Sequence, residues 1–205
     1  MIISGDEVIG KKIVHMDNDE KKSEVEDILM DKEGNVAYLS FGMDVPVEDN
    51  NAEGGGRPFD AVTVGSGNPV HLTPELEPLP KMARQLFFIP REQIERMTAN
   101  AVIMKGTEIE EERLDQPEVL SYLMLRGRAV ETGDGEPLGK IKDLVLEERD
   151  KKVIGLKLSE GFWEKLIGDG TKYMPYGGIK EWTEEKIIVA SQMADQLVDE
   201  REQLV

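Results

Sequence analysis

Residues 86–104 and 171–189 carry one pattern twice, without a gap. Phe88-Ile89-Pro90 precedes Ile94, Met97, Thr98 and the apolar run Val102-Ile103-Met104; Tyr173-Met174-Pro175 precedes Ile179, Trp182, Thr183 and Ile187-Ile188-Val189. Pro, Ile, Thr and Ile are identical at 90/175, 94/179, 98/183 and 103/188, and the other positions just named exchange apolar for apolar residues. A second block lies upstream. Ile9, Val14, Val25, Asp27, Ile28, Leu29, Met30 and Asp31 align at constant spacing with Leu125, Val130, Ile141, Asp143, Leu144, Val145, Leu146 and Glu147. With one residue inserted, Val36 to Phe41 falls on Val153 to Leu158. Two blocks in the same order indicate a duplicated module, and a long period with two copies excludes a solenoid.

The signals inside each copy are those of short strands. Asp17-Asn18-Asp19-Glu20 and Gly133-Asp134-Gly135-Glu136 are turn clusters between apolar segments, as are Lys32-Glu33-Gly34-Asn35 and Arg149-Asp150-Lys151-Lys152. Ala37, Leu39 and Phe41, like Ile154, Leu156 and Leu158, alternate along one strand face. Each copy thus reads as a meander of five or six strands, and a sheet that small protects its edges by curling closed.

The expected organisation is all-β. A first module spans 1–105 with an insertion at 44–85, an acidic helical linker spans 106–123, a second module spans 124–190, and an amphipathic helix occupies 191–205. Within the insertion Ala61-Val62-Thr63-Val64 reads as a strand and Pro74, Pro78 and Pro80 as an extended path; a connection this long is either functional or disordered. The linker helix rests on Pro117 near a first turn and on the spacing of Val119, Tyr122 and Leu123, and the tail helix on Met193, Leu197, Val198 and Leu204.

Charge excludes more than it assigns. Forty-two acidic against twenty-five basic residues give a formal charge of −17, and no cluster of Lys and Arg with interleaved aromatics relieves it, so direct nucleic-acid binding is not expected. Solubility and a basic protein partner are the two readings of this charge. Cysteine is absent, which removes disulfides, thiolate metal sites and thiol nucleophiles. Neither a signal peptide nor an apolar run long enough for a membrane span is read, so a cytoplasmic location is expected.

Few residues offer chemistry. Asp27 and Asp143 are the carboxylates kept in register between apolar strand residues in both copies; they are either an acid/base pair offered at a module interface or acceptors of local hydrogen bonds. His15 and His71 are the only histidines and neither has a second ligand at metal spacing, so no metal is expected. Asp17 to Glu20 lacks the Gly and closing Glu of a calcium loop. Gly133, Gly135 and Gly139 miss the dinucleotide spacing, Pro137 interrupts them, and no serine sits in a nucleophile elbow, so neither a cofactor nor an enzymatic activity is expected. Phe162-Trp163, between Glu160-Gly161 and Glu164-Lys165, reads as a loop tip that is either a partner-binding anchor or a lid over the module. Trp182 is assigned to the core, because Met97 is its counterpart.

The starts at Gly10-Lys11-Lys12 and Gly127-Arg128, the run Gly139-Lys140-Ile141-Lys142-Asp143-Leu144, the strand Val153-Ile154-Gly155-Leu156, and Met174-Pro175-Tyr176 before Ile179 together resemble the PRC-barrel domain. That family includes the cytoplasmic domain of the photosynthetic reaction-centre H subunit and the RimM ribosome-maturation factor. The second copy is the clearer match, since Ser23-Glu24 stands where Gly139-Lys140 does. The resemblance implies two small PRC-type β-barrels serving as a docking or assembly module, with no chemistry common to the family. Neither the membrane span of the H subunit nor the N-terminal domain of the maturation factor is matched. The function expected is therefore a non-enzymatic adaptor that binds a protein partner. Two alternatives stand beside it: a small molecule or metal ion in an inter-module cleft near Asp27 and Asp143, and a self-assembling structural protein, a homo-oligomer formed through the tail.

Overall fold

Alternation of buried and exposed residues dictates strands through most of the chain. The computed structural model describes residues 1–16, 18–46, 82–105, 110–111, 119–159 and 171–205. The chain divides into one unit of Met1–Met43 with Leu86–Val205 and another of Asp44–Gln85. The Ala61–Val64 strand, the proline path, His71, and Phe162 and Trp163 lie outside the described residues.

The first half runs β1 (Ile2–Ser4), α1 (Gly5–Val8), β2 (Lys12–His15), β3 (Asn18–Glu24), β4 (Asp27–Met30), β5 (Val36–Pro46), β6 (Met82–Pro90), β7 (Ile94–Met97), β8 (Ala101–Met104) and β9 (Glu110–Glu111). The second runs β10 (Leu120–Ser121), α2 (Tyr122–Leu125), β11 (Ala129–Thr132), β12 (Pro137–Glu147), β13 (Lys152–Leu158), β14 (Lys172–Pro175), β15 (Ile179–Trp182) and β16 (Lys186–Val189). Among the described residues no helix is long and apolar enough to cross a membrane.

Pairing in the second half recurs from the first. β2 lies parallel to β8 with Ile13 beside Val102, and β11 parallel to β16 with Val130 beside Ile187. β7 and β15 return antiparallel on β8 and β16. Pro90 and Pro175 each end a strand and open a 3₁₀ turn, at Arg91–Gln93 and Tyr176–Gly178, because proline ends strand pairing while its fixed φ suits a turn start. The buried positions correspond as well: Ile28 and Leu144, Leu39 and Leu156, and Met104 and Val189 are all 0% exposed.

Three expectations need correction. Gly10 (φ +74°) and Gly127 (φ +83°) close equivalent turns and Ile13 corresponds to Val130, so the alignment of Ile9 with Leu125 and Val14 with Val130 is one residue out. The β2–β3 hairpin absorbs the difference; its register shifts twice where β11–β12 shifts once. The described part of the linker holds strands β9 and β10 and a single helical turn, α2, because its backbone bonds to β6 and β4. In place of an α-helix over 191–205, 3₁₀ turns at Ser191–Gln196 and Arg201–Leu204 flank an extended stretch whose Val198 bonds to Tyr173. Pairing with a strand edge satisfies the same backbone groups that a helix would satisfy internally.

The halves are joined reciprocally. β1 pairs antiparallel with β12, and β10 pairs antiparallel with β4, so each N-terminal arm joins a sheet of the other half. Asn35 and Lys152 form a bridge at the facing turns, with Val36 N–H donating to Lys151 O at 3.0 Å and Val153 N–H to Gly34 O at 2.7 Å. Beyond these turns, Arg91 Nη2 donates to Asp150 O at 2.6 Å, Lys151 Nζ donates to Ile94 O, and the Tyr176 hydroxyl donates to Lys32 O at 3.1 Å. This is the pattern of a two-fold interface, in which a contact made once is made again with the roles exchanged.

Candidate functional site

The sequence singled out Asp27 and Asp143, and both carboxylates receive the arm of the opposite half. Ser4 ends β1 and caps α1, accepting from Glu7 N–H at 3.2 Å while Glu7 Oε2 accepts from Ser4 N–H at 2.7 Å. A four-residue helix has no interior, so such caps carry its N–H groups. The Asp6 N–H donates outward, to Asp143 Oδ1 at 3.1 Å. Leu144 N–H donates to the same oxygen at 2.8 Å. Asp143 is 4% exposed, so these donors replace its lost water.

Asp27 repeats the arrangement with α2. Its Oδ1 accepts from Ile28 N–H at 2.8 Å and Leu123 N–H at 3.1 Å, and its Oδ2 accepts from the Ser121 hydroxyl. Ser121 in turn caps α2, accepting from Met124 N–H at 3.2 Å. Each strand carboxylate thus docks the arm that begins the other half.

At the first helical position the two arms differ most in volume. Tyr122 opens α2 where Gly5 opens α1, and the tyrosine ring is 0% exposed. A Cβ placed on Gly5 would lie 2.9 Å from both Tyr122 Cζ and Asp143 Oδ1, so the missing side chain of one arm makes room for the ring of the other. The Tyr122 hydroxyl lies 2.7 Å from Asp143 Oδ1 and 2.8 Å from Asp6 Oδ1, and its one proton serves one carboxylate at a time. Arg126 Nη1 pairs with Asp6 at 3.0 Å and sits over the Tyr122 ring at 5.6 Å. Sequence reasoning missed Tyr122, Gly5, Ser4 and Ser121. Ser4-Gly5-Asp6-Glu7 carries the serine-to-glutamate spacing of a capping box, which is the one signal that would have found an arm.

Burial, and after it the neighbouring Asp143, raises the Tyr122 phenol far above its ordinary value of 10.0. Tyr176 is raised by burial and then by Asp31 and Glu33. A phenol whose folded pKa exceeds its unfolded one contributes stability that is complete below the unfolded value and lost as pH rises above it. Titration followed by tyrosinate absorbance is expected to leave Tyr122 and Tyr176, two of four tyrosines, protonated until the chain unfolds above pH 10.0. Four tyrosines ionising together near that pH in a folded chain would contradict this burial. Glu7 moves in the opposite direction: the Ser4 N–H holds its carboxylate below the usual range, and Arg201 adds to this against the effect of burial.

Residues 117–197 match the PRC-barrel domain. No curated protein matches the chain significantly. That stretch contains Gly127-Arg128, the Gly139–Leu144 run, the Val153–Leu156 strand and Met174-Pro175-Tyr176 with Ile179, which carry the resemblance in the second copy, and also α2 with Tyr122.

Asp143 lines a cleft of about 340 Å³ together with Ser4, Glu7, Lys157, Tyr173 and Arg201. Asp27 is not among the residues lining it. His15 is buried (8% exposed), and no group of three or more His, Cys, Asp or Glu among the described residues is arranged to hold a metal ion. Trp182 is half-buried, not core, and its indole packs on Tyr176 with ring centroids 5.9 Å apart. Tryptophan is large and rarely buried completely, whereas its counterpart Met97 is 0% exposed.

Proposed function

We propose that the chain is a non-enzymatic adaptor made of two PRC-type β-barrels in tandem, one spanning each half, which binds a protein partner in the cytoplasm. The observation that supports this best is the use made of Asp27 and Asp143. A general acid or base needs a carboxylate aimed at a substrate, whereas these two accept backbone and hydroxyl donors that lock the arms. A duplicated device spent on joining the halves suits a rigid scaffold. The recurrence of strand pairing from β2–β8 to β11–β16 favours two equivalent modules.

The partner-binding residues in this reading are Phe162 and Trp163, an apolar pair in a chain of net charge −17. Affinity purification of the full chain is expected to retain a stoichiometric protein that the Phe162→Ala, Trp163→Ala double variant loses. Retention of the same protein at the same stoichiometry by that variant would move the surface elsewhere, and a chain that retains none counts against an adaptor.

One observation favours a second reading. The cleft beside Asp143 has the volume for a small ligand and carries both charges, with Lys157 and Arg201 facing Glu7 and Asp143. A compound or ion that raises the melting temperature of the wild-type chain but not of Asp143→Asn would support it.

A further inference from the structure

The edge of β14 is occupied by the chain's own tail. Tyr173 N–H donates to Val198 O at 2.8 Å and Val198 N–H donates back to Tyr173 O at 2.9 Å, an antiparallel bridge. Beside it Lys172 Nζ pairs with Asp199, and Arg201 Nη1 pairs with Glu7 Oε2 at 2.9 Å. Leu204 then lies against Gly155 of β13, where an added Cβ would come within 2.5 Å of Leu204 Cδ1.

The first half presents the same edge, also occupied. Phe88, the counterpart of Tyr173, pairs antiparallel with Glu110 of β9. Glu110-Glu111 and Val198-Asp199-Glu200 share no sequence beyond their carboxylates, yet each takes the edge that follows the β-hairpin of its half. The seat of Leu204 has a counterpart too. Tyr38 stands where Gly155 does and packs edge-on against Phe88 at 6.4 Å, so the glycine leaves to the tail a space that a ring fills in the other half.

We propose that the β14 edge is a β-augmentation site for an acidic peptide of a protein partner, extended opposite Tyr173 and turned beyond it as Arg201–Leu204 is, and that residues 198–204 occupy it in cis until the partner displaces them. The proposal rests on the adaptor reading and names the class of ligand. Main-chain bonds to an open strand edge supply affinity, and side-chain seats supply specificity. The seats define the peptide: a β-branched residue opposite Tyr173, an Asp after it for Lys172, and a leucine five positions beyond that Asp for Gly155. Charge favours the same ligand, because Lys172 and Lys157, the latter 5.9 Å over the Tyr173 ring, put positive charge on this edge of an acidic protein. The hold on the tail is modest. It consists of one backbone bridge, two partly exposed ion pairs and a half-buried leucine, and exposed ion pairs contribute little.

The test uses the full chain and, as probe, a fluorescent peptide of residues 196–205. Val198→Pro removes the tail's bridging N–H, and Leu204→Asp releases its other end. Each variant is expected to bind the probe about tenfold or more tightly than wild type, whose tethered tail competes at high effective concentration. Adding Lys172→Glu to either variant is expected to weaken that binding severalfold, because it sets two carboxylates side by side. Equal binding by wild type and both released variants, binding by none, or binding unchanged by Lys172→Glu would each overturn the proposal. Partner retention in the purification above tests the adaptor reading separately, so one can fail while the other holds.

Discussion

Tyr122→Ala is expected to destabilise the chain by roughly 3–5 kcal/mol, the usual range for removing a fully buried ring. In a chain of this length that lowers the melting temperature on the order of 10 °C. The ring fills the space above Gly5 at the junction of the two arms, so its loss opens a cavity where the halves meet. Tyr122→Phe keeps the ring and removes the hydroxyl; it should cost about 1 kcal/mol, the net value of one hydrogen bond. Gly5→Ala should cost roughly 1–3 kcal/mol by overpacking, since its Cβ meets Tyr122 Cζ and Asp143 Oδ1 at 2.9 Å. The decisive measurement is the double variant. With the ring gone, the new methyl group loses one of its two clashes, and a coupling on the order of 1 kcal/mol is expected between the positions. Additive losses in denaturant unfolding would mean that the two residues do not compete for one space.

Asp143→Ala should be nearly as damaging, and Asp143→Asn nearly silent. All three donors converge on a single oxygen, Oδ1: Asp6 N–H, Leu144 N–H and the Tyr122 hydroxyl. Alanine leaves them buried without an acceptor, at about 1–3 kcal/mol for each one that water cannot reach. Asparagine retains an oxygen in that place, so a loss under about 1 kcal/mol is expected. Asp27 differs because both of its oxygens are used. Asp27→Asn turns an amide NH₂ toward the Ser121 hydroxyl, which loses its acceptor, and should cost more than Asp143→Asn. If asparagine at 143 were as harmful as alanine, negative charge rather than an acceptor would hold the arm, and the docking account would be wrong.

Part of this was legible beforehand. The turn clusters at Lys32–Asn35 and Gly133–Glu136, the strands around Leu39 and Leu156, and the proline-bearing segments at 90 and 175 are local signals and lie where they were expected. The helical linker and tail misled because a few apolar residues at helical spacing also suit a segment that crosses strand edges. Val198 and Leu204 contact neighbouring strands of one sheet, a relation that spacing in the tail does not encode. Asp27 and Asp143 stood out as a matched pair, but their partners did not.

By itself the sequence determined the strand type, the order of the elements and the equivalence of the two carboxylates, since alternation, proline and glycine act within a few residues of where they stand. Tertiary structure alone decided that each arm crosses to the other half. Asp6 reaches Asp143 across 137 positions, and Gly5 leaves room for a ring carried by a segment more than a hundred residues away. Contacts of that span depend on how completed sheets pack, and close packing rewards a fit between distant side chains that leaves no period in the chain.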